Sequence, residues 1–201
     1  MSHAVGAHYT STGLDSRKIA FWTFIGSECL LFGSLIATYL VYEGRSIAGP
    51  TTHEILQIPL TSVSTFVLLM SSLAMVLGLA GVQEGNRLKA RLALGATAAL
   101  GAVFLGLQVY EFNHFVHEGL GFTTNLFGST FFTLTGFHGA HVFVGVLWLT
   151  TLLVRSFQGK LGPDKAVVVE IAGLYWHFVD VVWIVIFTVV YLIQTTPLPA
   201  A

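Results

Sequence analysis

Tyr175-Trp176-His177-Phe178-Val179-Asp180-Val181-Val182-Trp183 sets a histidine and an acid inside an apolar run that extends over residues 167–193. A helix needs about 20 residues to cross the hydrocarbon core of a bilayer, and this run is long enough. His177 and Asp180 then lie near mid-depth, where an unpaired charge costs ~2.5–3.5 kcal/mol on insertion scales. Three residues apart on a helix, the two side chains share one face. That face must look at protein, so the chain is read as working inside a membrane.

Composition says the same. Of 201 residues, 54% are hydrophobic and only 9% charged, and the mean hydropathy is +0.77, whereas a soluble domain carries about 25% charged residues. The net charge is −1 and no basic or acidic tail stands out, which argues against nucleic acid as a partner. Cys29 is the only cysteine, so neither an internal disulfide nor a cysteine metal cluster can form. The polar stretch 1–16 has no apolar core and no cleavage pattern, and the first span is expected to direct insertion.

Apolar runs cover 19–42, 60–82, 92–112, 127–153 and 167–193, with Gly and Pro in the connections, as at Gly49-Pro50, Gly85-Asn86 and Gly162-Pro163. They lack the alternation of barrel strands, and lipid leaves no backbone group unsatisfied, so the expectation is an all-α fold: a five-transmembrane-helix bundle forming one domain over 1–201. Arg17, Lys18, Arg87, Lys89, Arg91, Arg155, Lys160 and Lys165 fall on one side of these spans and Arg45 alone on the other. The positive-inside rule then predicts a cytoplasmic N-terminus and a periplasmic C-terminus at Thr195-Thr196-Pro197. Small residues four apart (Ala98, Ala102 and Gly106; Gly136 and Ala140; Gly33 and Ala37) mark candidate sites of close helix approach, although Gly and Ala are common in any membrane helix.

Ionisable groups sit at depth on three spans. Glu28 is nine residues into the first, ~14 Å from its start by helical rise. His138 and His141 occupy the fourth span, and His177 and Asp180 the fifth, with Glu170 nearer its start. A buried carboxylate seeks a donor, and imidazoles are the candidates. The expected pairs are Glu28 with His141 and, locally, His177 with Asp180. They read either as a polar clamp fixing helix order or as a site where Glu28 takes and sheds protons near neutrality. Gln108, Glu111, His114, His117 and Glu118 form a polar column read as an interfacial cap on the third helix. Glu111 is also counted with Glu28, His138, His141, His177 and Asp180 as a buried polar, proton-related candidate. Glu111-x-x-His114 has di-iron spacing, but a second such motif and two further glutamates are missing. His141 and His177 could in principle ligate one haem from two helices, with Tyr175, Trp176 and Phe178 crowding the space.

These residues also carry a resemblance. Phe127-Gly128-Ser129-Thr130-Phe131-Phe132, Thr135-Gly136-Phe137-His138-Gly139-Ala140-His141-Val142 and the opening Tyr175–Trp183 block resemble subunit III of haem–copper terminal oxidases. Ser27-Glu28 followed by Leu30-Leu31-Phe32 is similar to the family's carbodiimide-reactive carboxylate segment; Glu84-Gly85-Asn86-Arg87 and Gln108-x-x-Glu111 match as well. The resemblance covers about 19–192 and corresponds to the five-helix bacterial form, which lacks the first two helices of the seven-helix form. It implies a multi-pass protein of the bacterial cytoplasmic membrane with no catalytic or metal-binding residue of its own. Haem and copper would sit in partner subunits. The chain would lie directly against subunit I, with subunits II and IV as further neighbours, bind phospholipid, and support complex stability and proton uptake in a proton-pumping cytochrome c oxidase. Arg155 matches a family arginine that meets a lipid phosphate, though snorkelling would also place it at a helix end. Glu28, Phe137-His138-Gly139 and Tyr175-Trp176 lean to the cytochrome c enzymes. Tyr110-Glu111-Phe112 and Phe187-Thr188-Val189-Val190-Tyr191-Leu192 look like bo-type ubiquinol oxidases. Outside the family, a stand-alone proton carrier using Glu28, His138, His141, His177 and Asp180 as a relay is the competing expectation, and a membrane b-type cytochrome is another.

Overall fold

The computed structural model describes residues 15–46 and 57–193. Most of the polar stretch 1–16, the Gly49-Pro50 connection and Thr195-Thr196-Pro197 lie outside the described residues. Five helices long and apolar enough to cross a membrane are present, and no strand occurs among the described residues. They are α1 (Ser16–Tyr42), α2 (Ile58–Gln83), α3 (Arg87–His117), α4 (Leu126–Phe157) and α5 (Ala166–Phe187). A 3₁₀ turn, Pro163–Lys165, precedes α5, and a π-helical turn, Thr188–Leu192, extends it.

All five helices start before the apolar runs do, and at three of them a polar cap carries the backbone outward. Asp15 accepts from the Arg17 amide at 2.9 Å, Asn86 from Lys89 at 3.1 Å and Asn125 from Gly128 at 2.7 Å, each satisfying an orphan amide of the first turn. Ends are equally explicit. Gly85 (φ 70°) and Gly159 (φ 71°) take the left-handed conformation just past α2 and α4. That lets the Asn86 and Lys160 amides reach back to the Gly81 and Arg155 carbonyls, at 2.9 and 3.0 Å.

α2, α3, α4 and α5 pack each on the next and α5 returns to α2, closing a four-sided bundle; α1 lies outside it, mainly against α4 and α5. Trp176 fills the centre. Fully buried, it sends its indole N–H to Ser71 Oγ on α2 at 2.9 Å. Its ring lies where side chains at Gly101 of α3 and Gly145 of α4 would project: a Cβ would come within 2.5 and 2.7 Å of it. The stripes singled out by spacing do not make these contacts. Of their seven residues only Ala98 is buried; Gly33, Gly106 and Gly136 have open space where a Cβ would be, and Ala37, Ala102 and Ala140 are exposed. The four-residue spacing marks a shared face and says nothing about which face turns inward; the close approaches fall at Gly81, Gly101, Gly139 and Gly145.

Lys18 Nζ on α1 meets Glu170 Oε1 on α5 at 2.6 Å, Arg91 donates to the Ser156 carbonyl at 2.9 Å, and Gly85 lies against Pro163. The start of α1, the α2–α3 turn and the α4–α5 connection therefore share one end of the bundle, which gathers the eight basic residues named above.

Candidate functional site

α1 and α4 bring Glu28 and His141 together, with Nε2 3.2 Å from Oε2 and the two side chains only 15% and 18% exposed. Because Asp15 starts α1 at Ser16, Glu28 lies twelve residues along the helix, ~18 Å from its start by helical rise. His141 Nδ1 is 2.7 Å from the Phe137 carbonyl one turn back. A carbonyl only accepts, so Nδ1 carries a hydrogen. The contact at Nε2 then needs a proton of its own. Either the imidazole is doubly protonated against a carboxylate, or Glu28 is the acid and donates to a bare Nε2. Both assignments place one proton between the groups and leave the pair without net charge, which is how a carboxyl can sit at this depth. Tyr175 of α5 donates to the His141 carbonyl at 3.0 Å, and the Phe32 ring stands edge-on to the imidazole at 5.0 Å, so the pair is held from three helices.

The other expected pair does not form. His177 Nδ1 is 2.5 Å from Ser72 Oγ on α2. The carboxylate oxygens of Asp180, a buried residue, have no hydrogen-bond partner among the described residues. Ser72 of α2 is the polar side chain beside Asp180 and also the one that meets the imidazole, so it stands between the two groups expected to pair. An i, i+3 spacing puts two residues on one face without making them partners; a hydroxyl arriving from the facing helix competes better. His138 is fully buried, 3.2 Å from the Val179 carbonyl through Nε2, with its ring tilted on Trp183 at 4.8 Å and its Nδ1 unpartnered among the described residues.

Glu111 is buried, in keeping with its place among the buried polar candidates, and its depth corrects the reading of its column as an interfacial cap. α3 continues to His117, so Glu111 lies more than a turn inside the helix end and is buried. Thr61 of α2 approaches its Oε1 at 2.6 Å and Tyr191 of the π-turn at 3.2 Å. Gln108 is also buried and donates to the Thr135 carbonyl at 2.9 Å. Only His117 and Glu118 lie exposed at the helix end, with His114 half-buried and 2.7 Å from the Gln57 amide nitrogen. Arg155 is exposed at the end of α4, beside a groove of about 380 Å³ lined by Thr150, Thr151, Val154 and Gln158.

The reading from sequence missed the hydroxyls of α2. Ser71 and Thr65 donate to carbonyls of their own helix, at 2.5 and 2.7 Å, and so accept from the indoles of Trp176 and Trp183, both at 2.9 Å. With Ser72 and Thr61 they form a polar edge along the α2–α5 contact. Its signal was in plain view: Thr61, Ser64, Thr65, Ser71 and Ser72 interrupt the second apolar run.

As chemistry, the site offers protonatable pairs and hydroxyl contacts. The imidazoles that a haem bridge would use are committed to Glu28 and Ser72. Among the described residues, no three His, Cys, Asp or Glu side chains converge as a metal site requires. Nor do the five groups of a proton relay connect: Glu28 and His141 close on the Phe137 carbonyl, His138 ends on Val179, and His177 on Ser72.

Comparison with known proteins supplies the context. The family model for cytochrome c oxidase subunit III matches residues 2–195. Cytochrome c oxidase subunit 3 of Bacillus sp. (strain PS3) is 47% identical over 88% of this chain and 86% of its own length. Quinol oxidase subunit 3 of Bacillus subtilis (strain 168) is 40% identical over 87% and 85%. Cytochrome bo(3) ubiquinol oxidase subunit 3 of Pseudomonas aeruginosa is 39% identical over 95% and 92%. With five helices able to span a bilayer and relatives from both donor classes, this multi-pass bacterial membrane protein belongs to the subunit III family of haem–copper terminal oxidases.

Proposed function

We propose that the chain is the non-redox subunit III of a proton-pumping cytochrome c oxidase, seated against subunit I, where it stabilises the complex, holds phospholipid and supports proton uptake. The observation that carries this reading is the Glu28–His141 pair, which keeps one exchangeable proton at depth. Beside it runs an apolar groove of about 480 Å³ between Phe21, Phe24, Val144, Trp148 and Tyr175, of a size and character suited to an acyl chain. Arg155 at the basic end suits a lipid phosphate. α1 is the least enclosed span, and its outward face of Gly26, Gly33 and Ala37 suits close contact with a helix of another subunit. The orientation with the basic end in the cytoplasm follows the positive-inside rule. Haem and copper belong to the partner subunits in this reading.

Cytochrome c is favoured as donor by the 47% identity to the Bacillus sp. (strain PS3) protein, against 40% to the Bacillus subtilis quinol oxidase subunit. The second reading, a subunit of a quinol oxidase, rests on the likeness at Tyr110-Glu111-Phe112 and 187–192. Assaying the purified oxidase with reduced cytochrome c and with quinol separates the two. The role itself is tested by stripping the chain from the complex. The remaining enzyme should begin with near-normal turnover and then inactivate during it, while the isolated chain shows no visible absorption. A visible band stoichiometric with the isolated polypeptide, or a stripped enzyme as durable as the intact one, refutes the proposal.

A further inference from the structure

The cluster at the end of the bundle away from the basic residues contains more hydrogen-bond contacts than an ionised Glu111 can serve. Thr61 Oγ1 lies 2.6 Å from Glu111 Oε1 and 3.1 Å from the Gln57 carbonyl one turn back on α2. A hydroxyl has a single hydrogen, and a carboxylate only accepts. Against a carboxylate, Thr61 would have to turn its hydrogen to Glu111 and abandon Gln57. Ser64, Thr65 and Ser71 of the same helix do the opposite and donate to a carbonyl three or four residues back. With a proton on Glu111 Oε1, each contact has its hydrogen. Tyr191 donates to Oε1, Oε1 donates to Thr61, and Thr61 donates to Gln57.

The surroundings agree. α1 contributes the Tyr39 phenol, α3 contributes His114 one turn beyond, α4 presents the Phe131 ring to Tyr191 at 6.4 Å, and α2 brings no titratable group. His114 Nε2 accepts from the Gln57 amide at 2.7 Å, which makes that imidazole neutral. No cation among the described residues faces Glu111, which is 4% exposed. An ionised acid there would have neither water nor a counter-charge.

We propose that Glu111 is a neutral carboxylic acid in the folded protein and that its proton closes a Tyr191–Glu111–Thr61–Gln57 chain clasping α5, α3 and α2 together. The π-turn Thr188–Leu192 belongs to this device, since it carries the tyrosine whose hydroxyl reaches Oε1. Withdrawing the proton turns the Thr61 hydroxyl round and leaves the Gln57 carbonyl, at the start of α2, without that donor.

Infrared difference spectra of the intact oxidase, wild type minus E111Q, test this at pH 7 in H₂O and D₂O. The expected result is one carboxylic-acid C=O band absent from the variant and shifted to lower frequency in D₂O, with Y191F moving that band upward. Loss of the paired carboxylate bands in its place overturns the proposal. Thermal dissociation of the chain from the complex gives an independent reading. E111Q, which keeps a donor and an acceptor, should match wild type, while E111A drops by several degrees. A glutamine variant as damaging as alanine, or one that never assembles, also overturns it.

Discussion

Replacing either partner of the Glu28–His141 pair separates its two protonation states and measures what the pair contributes. The side chains are 15% and 18% exposed and lie 3.2 Å apart, so the interaction belongs with hydrogen bonds to ionisable groups in a poorly solvated setting, about 1.5–3 kcal/mol. For a chain of this length each kcal/mol shifts a midpoint by ~2–4 °C, so H141F should lower the temperature at which the chain leaves the oxidase by roughly 3–12 °C. E28A should do the same, because it leaves Nε2 without a partner. E28Q should be far milder. Its amide N–H donates to Nε2 as the protonated acid would, while Nδ1 keeps the Phe137 carbonyl. The double variant E28A/H141F should lose little beyond either single one, giving a coupling energy of the same ~1.5–3 kcal/mol in a double-mutant cycle. Heating detergent-solubilised complex and following the released chain on native gels supplies the midpoints. Strictly additive losses, or E28Q as damaging as E28A, would refute the shared proton.

Gly101→Ala should cost ~1–3 kcal/mol by overpacking against Trp176. The penalty should shrink in a W176F background, whose shorter ring vacates part of the space and leaves the contact with Val146 Cγ2 at 2.9 Å. An undiminished penalty on the same native-gel assay would count against the central position of that indole. Arg155→Gln should lower the anionic phospholipid retained by the purified complex about fivefold, the equivalent of ~1 kcal/mol for one basic residue at an anionic surface; lipid analysis by mass spectrometry reads it directly. At the start of α1, the Asp15 carboxyl is held down to about 2, from 3.8, first by the Arg17 side chain and then by the Arg17 amide. A lowered acid stabilises the fold above its ordinary range and stops doing so as pH falls through about 2. A carboxyl NMR titration should therefore find a midpoint near 2 that moves back toward 3.8 in R17A.

Five spans were legible because length and hydropathy decide whether a helix can cross a bilayer, and the one other structure that satisfies its backbone there, a closed barrel, needs an alternation these runs lack. Glu28 and His141 were legible together because an acid and an imidazole at similar depth have few other options. Asp180 was not, since the spacing that puts it beside His177 says nothing about Ser72 arriving from α2. Glu111 was legible as a buried polar group, but the column around it was read as an interfacial cap because the apolar run stops at residue 112 while the helix does not. For the small-residue stripes, as for the His177–Asp180 pair, periodicity reports a face and only packing reports its direction: Gly33 and Ala37 turn outward while Ala98 turns inward.

The hydroxyls of Thr65 and Ser71 give their hydrogens to their own helix and use only lone pairs toward the tryptophans. At these two positions α2 can therefore wait in lipid with its hydroxyl hydrogens already used, while the ribosome is still making the last span. When α5 arrives, its two indole N–H groups have acceptors already oriented for them. The last segment to be synthesised is thus the one that brings the two donors these prepared acceptors await.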